Sequence, residues 1–182
     1  PRLRERPMQE LVEMLSERGA TLEPLGRPGF LPIRVHPGTL AGGSLRVNAQ
    51  ASSQFVSALL LIASRLPGGL AITFESPPTS ESYLRLTLRE MKAWGVEPTV
   101  IEDAAGALSS IVVPEATILA RYRRIPADAS SALYWAALAT ILSRVEIDLP
   151  GLDPADGQPD HGALAALGRI GLELETGPDG VR

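Results

Sequence analysis

The chain has 182 residues, enough for one ordinary domain or two small ones, and its 45% hydrophobic and 21% charged content is typical of a globular protein. The formal net charge of −4 disfavours a general nucleic-acid binder, which normally carries a basic surface. The absence of cysteine excludes disulfides, thiolate metal sites and thiol catalysis, and two isolated histidines, His36 and His161, disfavour a histidine metal site. No apolar run reaches the roughly 18 residues that a membrane span needs.

The ends of the chain indicate a segment of a longer protein. It begins at Pro1 without an initiator methionine, and it stops at Arg182, directly after the turn-like sequence of residues 177–180. Its 17 basic residues include a single lysine, Lys92. We therefore expect any mechanism that requires several lysines to be incomplete within these residues.

In chain order, three segments share one pattern: an amphipathic helix, then a glycine, then the apolar start of a strand. The glycines are Gly19, Gly95 and Gly171, and both intervals between them are 76 residues. Glycine is favoured just beyond a helix end because it adopts the left-handed conformation without a Cβ clash. The equal spacing favours duplication of one structural unit over coincidence.

Two further helices are predicted to begin with paired serines, at Ser52-Ser53 and Ser130-Ser131, 78 residues apart. The strands are predicted from β-rich runs flanked by Gly, Pro or Asn. These runs are Leu31–Val35, Ser44–Asn48, Leu70–Phe74, Pro98–Ile101, Leu108–Val113 and Val145–Leu149. One period reads strand, helix, strand, helix, strand, strand, which predicts an α/β or α+β unit.

Hydrophobic spacing predicts which helix faces are buried. Leu84, Leu88 and Met91 follow i, i+4, i+7 spacing, so they should face a core. The segment Phe55–Leu61 is apolar nearly all round, so we expect burial on several sides. Charge divides the chain: residues 1–126 carry net +2 and residues 127–182 net −6, and the change at residues 121–126 indicates a crossover between domains.

The sequence Ser52-Ser53-Gln54 at the start of an apolar helix is a candidate anion site. Unpaired backbone N–H groups and the helix dipole favour negative charge there, and two hydroxyls add hydrogen-bond donors, so a phosphate could bind without a metal. The alternative is simple capping of the helix by Ser52 or Ser53.

Three other segments could carry chemistry. Arg6 precedes Pro7, which we place at the first helical position, so Arg6 could point into a cleft and bind a phosphate or carboxylate; otherwise it is a solvated arginine. Ser80 and Asp128 precede predicted helices, and both are interpreted as caps on the local pattern alone. Singly, none of these residues identifies a reaction.

Taken in order, these segments resemble the 3-phosphoshikimate 1-carboxyvinyltransferase (EPSP synthase) family. The matching motifs are residues 3–11 (LRERPMQEL), residues 52–61 (SSQFVSALLL), Ser80 with Tyr83 ahead of Trp94-Gly95-Val96, residues 128–132 (DASSA), and Gln158 with Asp160. The resemblance spans essentially the whole chain, and Ser-Ser-Gln-Phe with a downstream Asp-Ala-Ser-Ser-Ala is its most specific part.

The resemblance implies the enolpyruvyl transferase fold, an inside-out α/β barrel built from βαβαββ units, three in each of two domains. Residues 1–125 would then be about two units of the domain that carries the Ser-Ser-Gln site. Residues 126–182 would be one unit of the second domain.

The resemblance also implies the reaction. The enolpyruvyl group of phosphoenolpyruvate is transferred to the 5-hydroxyl of shikimate 3-phosphate through a tetrahedral adduct, with release of phosphate. This step belongs to the shikimate pathway of aromatic amino acid biosynthesis and is the target of glyphosate. No cofactor or metal, no nucleic acid and no membrane is implied, and the expected parent protein is a cytoplasmic monomer.

The motifs assign ligand-binding roles by position. Ser52, Ser53 and Ser80 match residues that bind shikimate 3-phosphate, as does Tyr83 over its ring. Gln54 matches a glutamine that faces both substrates, and Arg6 matches an arginine that holds the phosphate of phosphoenolpyruvate.

Other parts of the family pattern are missing or changed. The basic and acidic groups of the family's remaining site lie outside these residues, so no catalytic residue is assigned and the chain alone is expected to be inactive. Ala127 replaces the usual glycine and Ser82 a common proline. The alternative function is that of a truncated, non-catalytic relative acting as a phosphorylated-ligand-binding or structural module.

Overall fold

The computed structural model describes residues 2–48, 52–142, 145–177 and 179–181. The chain divides into two compact units, Pro1–Ala120 and Arg121–Arg182. Helices and strands alternate in both units, so the fold is mixed α/β.

The first part of unit 1 is a helix followed by a small antiparallel sheet. A 3₁₀ turn over Arg2–Glu5 precedes helix α1, Gln9–Glu17, and strands β1, Leu22–Pro24, and β2, Ile33–Val35, then pair with each other. Strand β2 lies within the predicted run Leu31–Val35.

The rest of unit 1 is one complete copy of the predicted repeat. It contains β3, Gly43–Val47; α2, Ser53–Ala63; β4, Leu70–Phe74; α3, Glu81–Ala93; β5, Thr99–Glu102; and β6, Leu108–Val113. This is the βαβαββ order, and the sheet order is β3-β4-β6-β5. Strands β3 and β4 are parallel, whereas β6 is antiparallel to both β4 and β5. The predicted order of elements is therefore confirmed.

Unit 2 repeats part of this pattern with shorter strands. Its elements are α4, Ala129–Ile141; β7, Leu149–Pro150; α5, His161–Gly168; β8, Thr176–Gly177; and β9, Gly180–Val181. Its sheet order, β7-β9-β8, with both pairs antiparallel, corresponds to β4-β6-β5 in unit 1. The strand predicted over Val145–Leu149 is wrong except at its last residue: among the described residues, β7 covers Leu149–Pro150 and pairs with Val181 and Gly180.

Glycine closes the helix in all three copies, as the spacing predicts. Gly19, Gly95 and Gly171 have φ of 99°, 86° and 110°, the left-handed conformation that a side chain disfavours. After each glycine, the next N–H donates to the carbonyl five residues earlier: Ala20 to Leu15, Val96 to Met91, and Leu172 to Leu167. This shared C-terminal motif supports duplication independently of the element order.

The two cores differ in size. Among the described residues, 18 buried hydrophobic side chains form the core of unit 1, between its sheet and its helices. Leu84, Leu88 and Met91 of α3 belong to it, as predicted. Six form the core of unit 2, and three of those are alanines of α4.

Two local predictions are wrong. Pro7 does not open α1: the helix begins at Gln9, and Met8 occupies the N-cap position with non-helical backbone angles, φ −121° and ψ 4°, while its N–H donates to the carbonyl of Gly29 at 2.7 Å. In α2, burial on several sides holds for Val56, Leu59 and Leu60 but fails at Leu61, whose side chain is 58% exposed.

Candidate functional site

The sheet topology of unit 1 brings the starts of α2 and α3 to the same edge. Helix α2 follows β3 and α3 follows β4, and these two strands are parallel neighbours. Strand β5 is parallel to β4 because both are antiparallel to β6, so α3, like α2, runs back against its strands. The two helices pack on each other. Their N-termini therefore share the carboxyl edge of the sheet, where ligands of α/β sheets commonly bind.

The start of α2 carries the predicted Ser-Ser-Gln residues. Ser52 occupies the N-cap position, and its Oγ accepts a hydrogen bond from the N–H of Gln54 at 3.3 Å. Ser52 and Ser53 are half-buried, whereas Gln54 is exposed. The first turn of α2 contains no acidic residue. Capping by Ser52 is thus confirmed, and the positive end of the helix is not neutralised by a neighbouring carboxylate within that turn.

The start of α3 carries Ser80 and Tyr83. Ser80 occupies the N-cap position, but its side chain makes no capping hydrogen bond to the helix, so the capping interpretation of its hydroxyl is wrong. Its backbone carbonyl accepts from the N–H of Tyr83 at 3.2 Å. The side chain of Tyr83 is 43% exposed. Both residues are therefore placed at the same edge as the α2 serines, on the neighbouring helix.

The one acidic residue in the first turn of α3, Glu81, is compensated on both carboxylate oxygens. Its Oε1 accepts from Arg85 at 2.6 Å, and its Oε2 accepts from the N–H of Leu108 at 3.1 Å. Arg85 also contacts Glu102 at 2.6 Å, and these carboxylates raise the pKa of its guanidinium, with the hydrogen bond to Glu102 the largest cause. The charge of Glu81 is thus partly offset by Arg85, which Glu81 shares with Glu102.

A polar contact joins α2 and α3 below this edge. Thr87 Oγ1 lies 3.1 Å from Ser57 Oγ and 2.9 Å from the carbonyl oxygen of Tyr83. Ser57 is four residues after Ser53, and Thr87 is four residues after Tyr83. Sequence reasoning missed this pair, although two hydroxyl residues one turn below two candidate site residues were a readable signal.

Arg6 is exposed on the bend between the 3₁₀ turn and α1. Its backbone N–H lies 3.4 Å from the carbonyl of Leu3. Among the described residues, its side chain makes no hydrogen bond or ion pair with the serines of α2 and α3. The topology therefore places Ser52, Ser53, Gln54, Ser80 and Tyr83 at one edge of the sheet, and among the described residues no contact joins the Arg6 side chain to them.

The corresponding helix start in unit 2 is built differently. Asp128 caps α4 by accepting from the N–H of Ser130 at 3.0 Å and from the hydroxyl of Ser131 at 2.5 Å, which confirms its predicted capping role. The hydroxyl of Ser130 donates to Asp160. Both serines are therefore committed to carboxylates of the protein itself, and this start is not suited to an anion.

Gln158 and Asp156 hold the chain that leads into α4. Gln158 Oε1 accepts from the N–H of Ala129 at 2.9 Å, and its Nε2 donates to the carbonyl of Ala127 at 2.7 Å and to Asp156 Oδ2 at 2.6 Å. Asp156 Oδ1 also lies 2.8 Å from His161 Nε2. Burial opposes the charge of Asp156, but hydrogen bonds from Gln158 and His161 outweigh it and hold its pKa below the ordinary value. This network is structural.

Among the described residues, no group of three or more His, Asp or Glu side chains is arranged to hold a metal ion. Within the same residues, none of the helices combines the length and the apolar character needed to cross a bilayer.

The family model described as EPSP synthase (3-phosphoshikimate 1-carboxyvinyltransferase) matches residues 1–182. Similar curated proteins include 3-phosphoshikimate 1-carboxyvinyltransferase 2 of Halalkalibacterium halodurans, 35% identical over 94% of this chain, and the 3-phosphoshikimate 1-carboxyvinyltransferases of Bacteroides fragilis and Syntrophobacter fumaroxidans, 32% and 36% identical over all of it. The chain spans 37%, 43% and 42% of the lengths of these three relatives.

Among solved structures, an EPSP synthase from Acinetobacter baumannii is 18% identical and aligns over 98% of this chain and 56% of its own. The TM-score is 0.38, too low for this likeness to support the fold, which rests on the topology described above.

Proposed function

Because the chain belongs to the EPSP synthase family, we propose that it supplies the shikimate 3-phosphate-binding part of a 3-phosphoshikimate 1-carboxyvinyltransferase. The observation that carries this proposal is the meeting of two serine-bearing helix starts at one sheet edge, Ser52-Ser53 on α2 and Ser80 on α3. A phosphate bound there receives hydroxyl and backbone N–H donors and lies at the positive ends of two helices.

The neighbouring side chains suit the rest of this ligand. Gln54, exposed beside the serines, offers both an amide donor and a carbonyl acceptor for ring hydroxyls. Tyr83 presents an aromatic face with a phenolic hydroxyl on the adjacent helix. We assign these two residues to the shikimate ring and the three serines to its phosphate.

Arg6 is proposed to bind the phosphate of the second substrate, phosphoenolpyruvate. Its guanidinium is exposed, and a guanidinium forms paired hydrogen bonds with phosphate oxygens. The chain alone is expected not to turn over the two substrates, since it spans about two-fifths of the length of its curated relatives and we assign no general acid or base within it.

The proposal is tested by titrating the 182-residue chain with shikimate 3-phosphate while recording amide NMR spectra. We expect the largest shift changes at residues 52–55 and 80–84. Ser53→Ala should weaken binding by roughly 1–3 kcal/mol, because one phosphate oxygen loses its donor. Ser80→Ala should act in the same direction.

The matched control is Ser131→Ala, the equivalent change in the Ser-Ser pair of α4. Its hydroxyl is already committed to Asp128, so binding should be unchanged. Shift changes centred on α4, or equal losses for Ser53→Ala and Ser131→Ala, would contradict the proposal. Release of inorganic phosphate by the chain alone, at a rate near that of an intact synthase, would refute the expectation of inactivity.

A further inference from the structure

The hydroxyls of Ser57 and Thr87 form a relay between two helices. Thr87 Oγ1 is within hydrogen-bonding distance of both Ser57 Oγ, at 3.1 Å, and the Tyr83 carbonyl oxygen, at 2.9 Å. A hydroxyl has one proton to donate and a carbonyl can only accept, so Thr87 donates to Tyr83 and accepts from Ser57. The relay thus links the side chain of α2 to the backbone of α3.

The relay lies directly beneath the proposed phosphate site. Four helical residues correspond to about 6 Å along the axis, so Ser57 lies about that far below Ser53, and Thr87 about that far below Tyr83. The helices run in the same direction because each returns from one of two parallel strands. The contact therefore lies about one turn past Ser53 on α2 and about two turns past Ser80 on α3, and it opposes sliding of one helix along the other.

The rest of the helix contact is less able to set this register. Leu59 and Leu60 of α2 and Leu84 and Leu88 of α3 are buried in one core, and apolar packing is non-directional. A hydrogen bond requires both a distance and an angle. The Ser57–Thr87 bond is therefore a directional contact, about one turn below the start of α2 and about two turns below the start of α3.

We propose that Ser57 and Thr87 are positioning residues, which hold the helix starts of α2 and α3 at the separation and register required to bind one phosphate between Ser53 and Ser80. This inference rests on the proposed function for the identity of the ligand. The relay itself is a property of the protein without ligand.

The test uses three variants of the 182-residue chain titrated with shikimate 3-phosphate. Thr87→Val removes the hydroxyl at nearly constant shape, and Ser57→Ala removes the other partner. Each should weaken binding by roughly threefold to tenfold. The double variant should lose no more than the weaker-binding single variant, because both changes break the same bond.

Two controls separate positioning from general stability. Thr87→Ser keeps the hydroxyl and should restore binding to within about twofold. Thr140→Val removes the same kind of bond in α4, where Thr140 Oγ1 donates to the Ala136 carbonyl at 2.9 Å, and it should leave binding unchanged. If Thr87→Val lowers the unfolding midpoint but leaves the affinity unchanged, the role is structural and the proposal is wrong.

A double-mutant cycle measures the coupling between Thr87 and Ser53 in ligand binding, which a purely structural role of Thr87 would not produce. When Ser53→Ala has already removed the positioned hydroxyl, Thr87→Val should cost less affinity than it does in the unmodified chain. Fully additive losses would contradict positioning.

Amide hydrogen exchange distinguishes failure of this inference from failure of the proposed function. The amides of Phe55 and Tyr83 report the first turns, because they bond to the carbonyls of Ser52 at 2.8 Å and Ser80 at 3.2 Å. Thr87→Val should speed their exchange, and Thr140→Val should not. If the chain does not bind shikimate 3-phosphate, the proposed function fails, and unchanged exchange in Thr87→Val would then overturn the positioning role as well.

Discussion

Helices α2 and α4 occupy equivalent positions in the repeat and each has a Ser-Ser pair at its start, but different interactions hold them in place. Helix α2 buries Val56, Leu59, Leu60 and Ala63. Helix α4 buries only alanines, Ala129, Ala132 and Ala136, and it exposes large side chains on its other faces, Tyr134 by 81% and Ile141 by 77%. Burial of large side chains anchors α2, whereas α4 has little apolar area to stabilise it.

The hydrogen bonding at the helix starts differs in the opposite sense: the start of α4 is bonded more extensively than that of α2. At α4, Asp128, Asp160 and Gln158 bind the serine hydroxyls and the backbone of the entering chain. At α2, one hydrogen bond from Gln54 to Ser52 caps the helix. A helix anchored by its core can leave its start open to a ligand, whereas a helix anchored by its start cannot. The serine pair alone therefore does not specify a binding site. Whether acidic side chains already bind the serine hydroxyls determines whether an anion can bind there.

The largest expected effect tests whether burial anchors α2. Leu60 is 0% exposed, so Leu60→Ala should lower the free energy of unfolding of unit 1 by about 2–5 kcal/mol through lost transfer energy and a cavity. The neighbouring Leu61 is exposed, and Leu61→Ala should cost less than about 1 kcal/mol. Urea unfolding followed by Trp94 fluorescence in a Trp135→Phe background measures both. Equal losses would show that burial is not what distinguishes α2.

The second-largest expected loss of stability comes from a substitution that tests whether polar contacts at the start of α4 hold this helix in place. Gln158→Ala leaves the Ala127 carbonyl and the Ala129 N–H without their partner, so unit 2 should lose roughly 1–3 kcal/mol. Gln54→Ala, at the equivalent end of α2, should change stability by less than about 0.5 kcal/mol because Gln54 is exposed. The reporter for α4 is Trp135 in a Trp94→Phe background. A Gln158→Ala variant as stable as the parent would show that polar contacts do not stabilise the start of α4 more than that of α2.

The repeat was predictable from sequence because its signals are local. A glycine that ends a helix, and a serine or aspartate that begins one, each act within one helical turn. The 76-residue spacing of Gly19, Gly95 and Gly171 therefore corresponds directly to the three matching C-terminal hydrogen-bond motifs. Strand β4 was predicted to the residue for the same reason, since its β-rich run ends at turn residues.

The features that were not predictable depend on contacts between distant segments. Strand β7 pairs with β9, about 30 residues later, and the N–H of Met8, just before α1, donates to the carbonyl of Gly29. The serine pairs of α2 and α4 look alike in sequence; Asp128 before the α4 pair can be read there, but the contact of Ser130 with Asp160, 30 residues away, cannot. The assignment of Arg6 to phosphoenolpyruvate and of residues 1–125 and 126–182 to two catalytic domains stays a prediction.

The smallest expected effect is a pH dependence confined to the start of α4. The hydrogen bond from the Ser131 hydroxyl, with others from Ser130 and the backbone, lowers the pKa of Asp128 below the ordinary 3.8, and hydrogen bonds from Gln158 and His161 outweigh burial to lower that of Asp156. A carboxyl with a depressed pKa in the folded state stabilises the protein above its unfolded pKa, and this contribution is lost as the pH falls through the folded value. The midpoint of Trp135-monitored unfolding should therefore fall with decreasing pH below about 3.8, in the range where the unfolded chain already binds these protons.

Asp128→Asn keeps a good capping side chain but cannot titrate, so its midpoint should fall less steeply over the same range than that of the parent. Parallel pH profiles for the two proteins would mean that the charge of Asp128 does not contribute, and that Asp128 holds the α4 start by capping alone, as Ser52 does at α2.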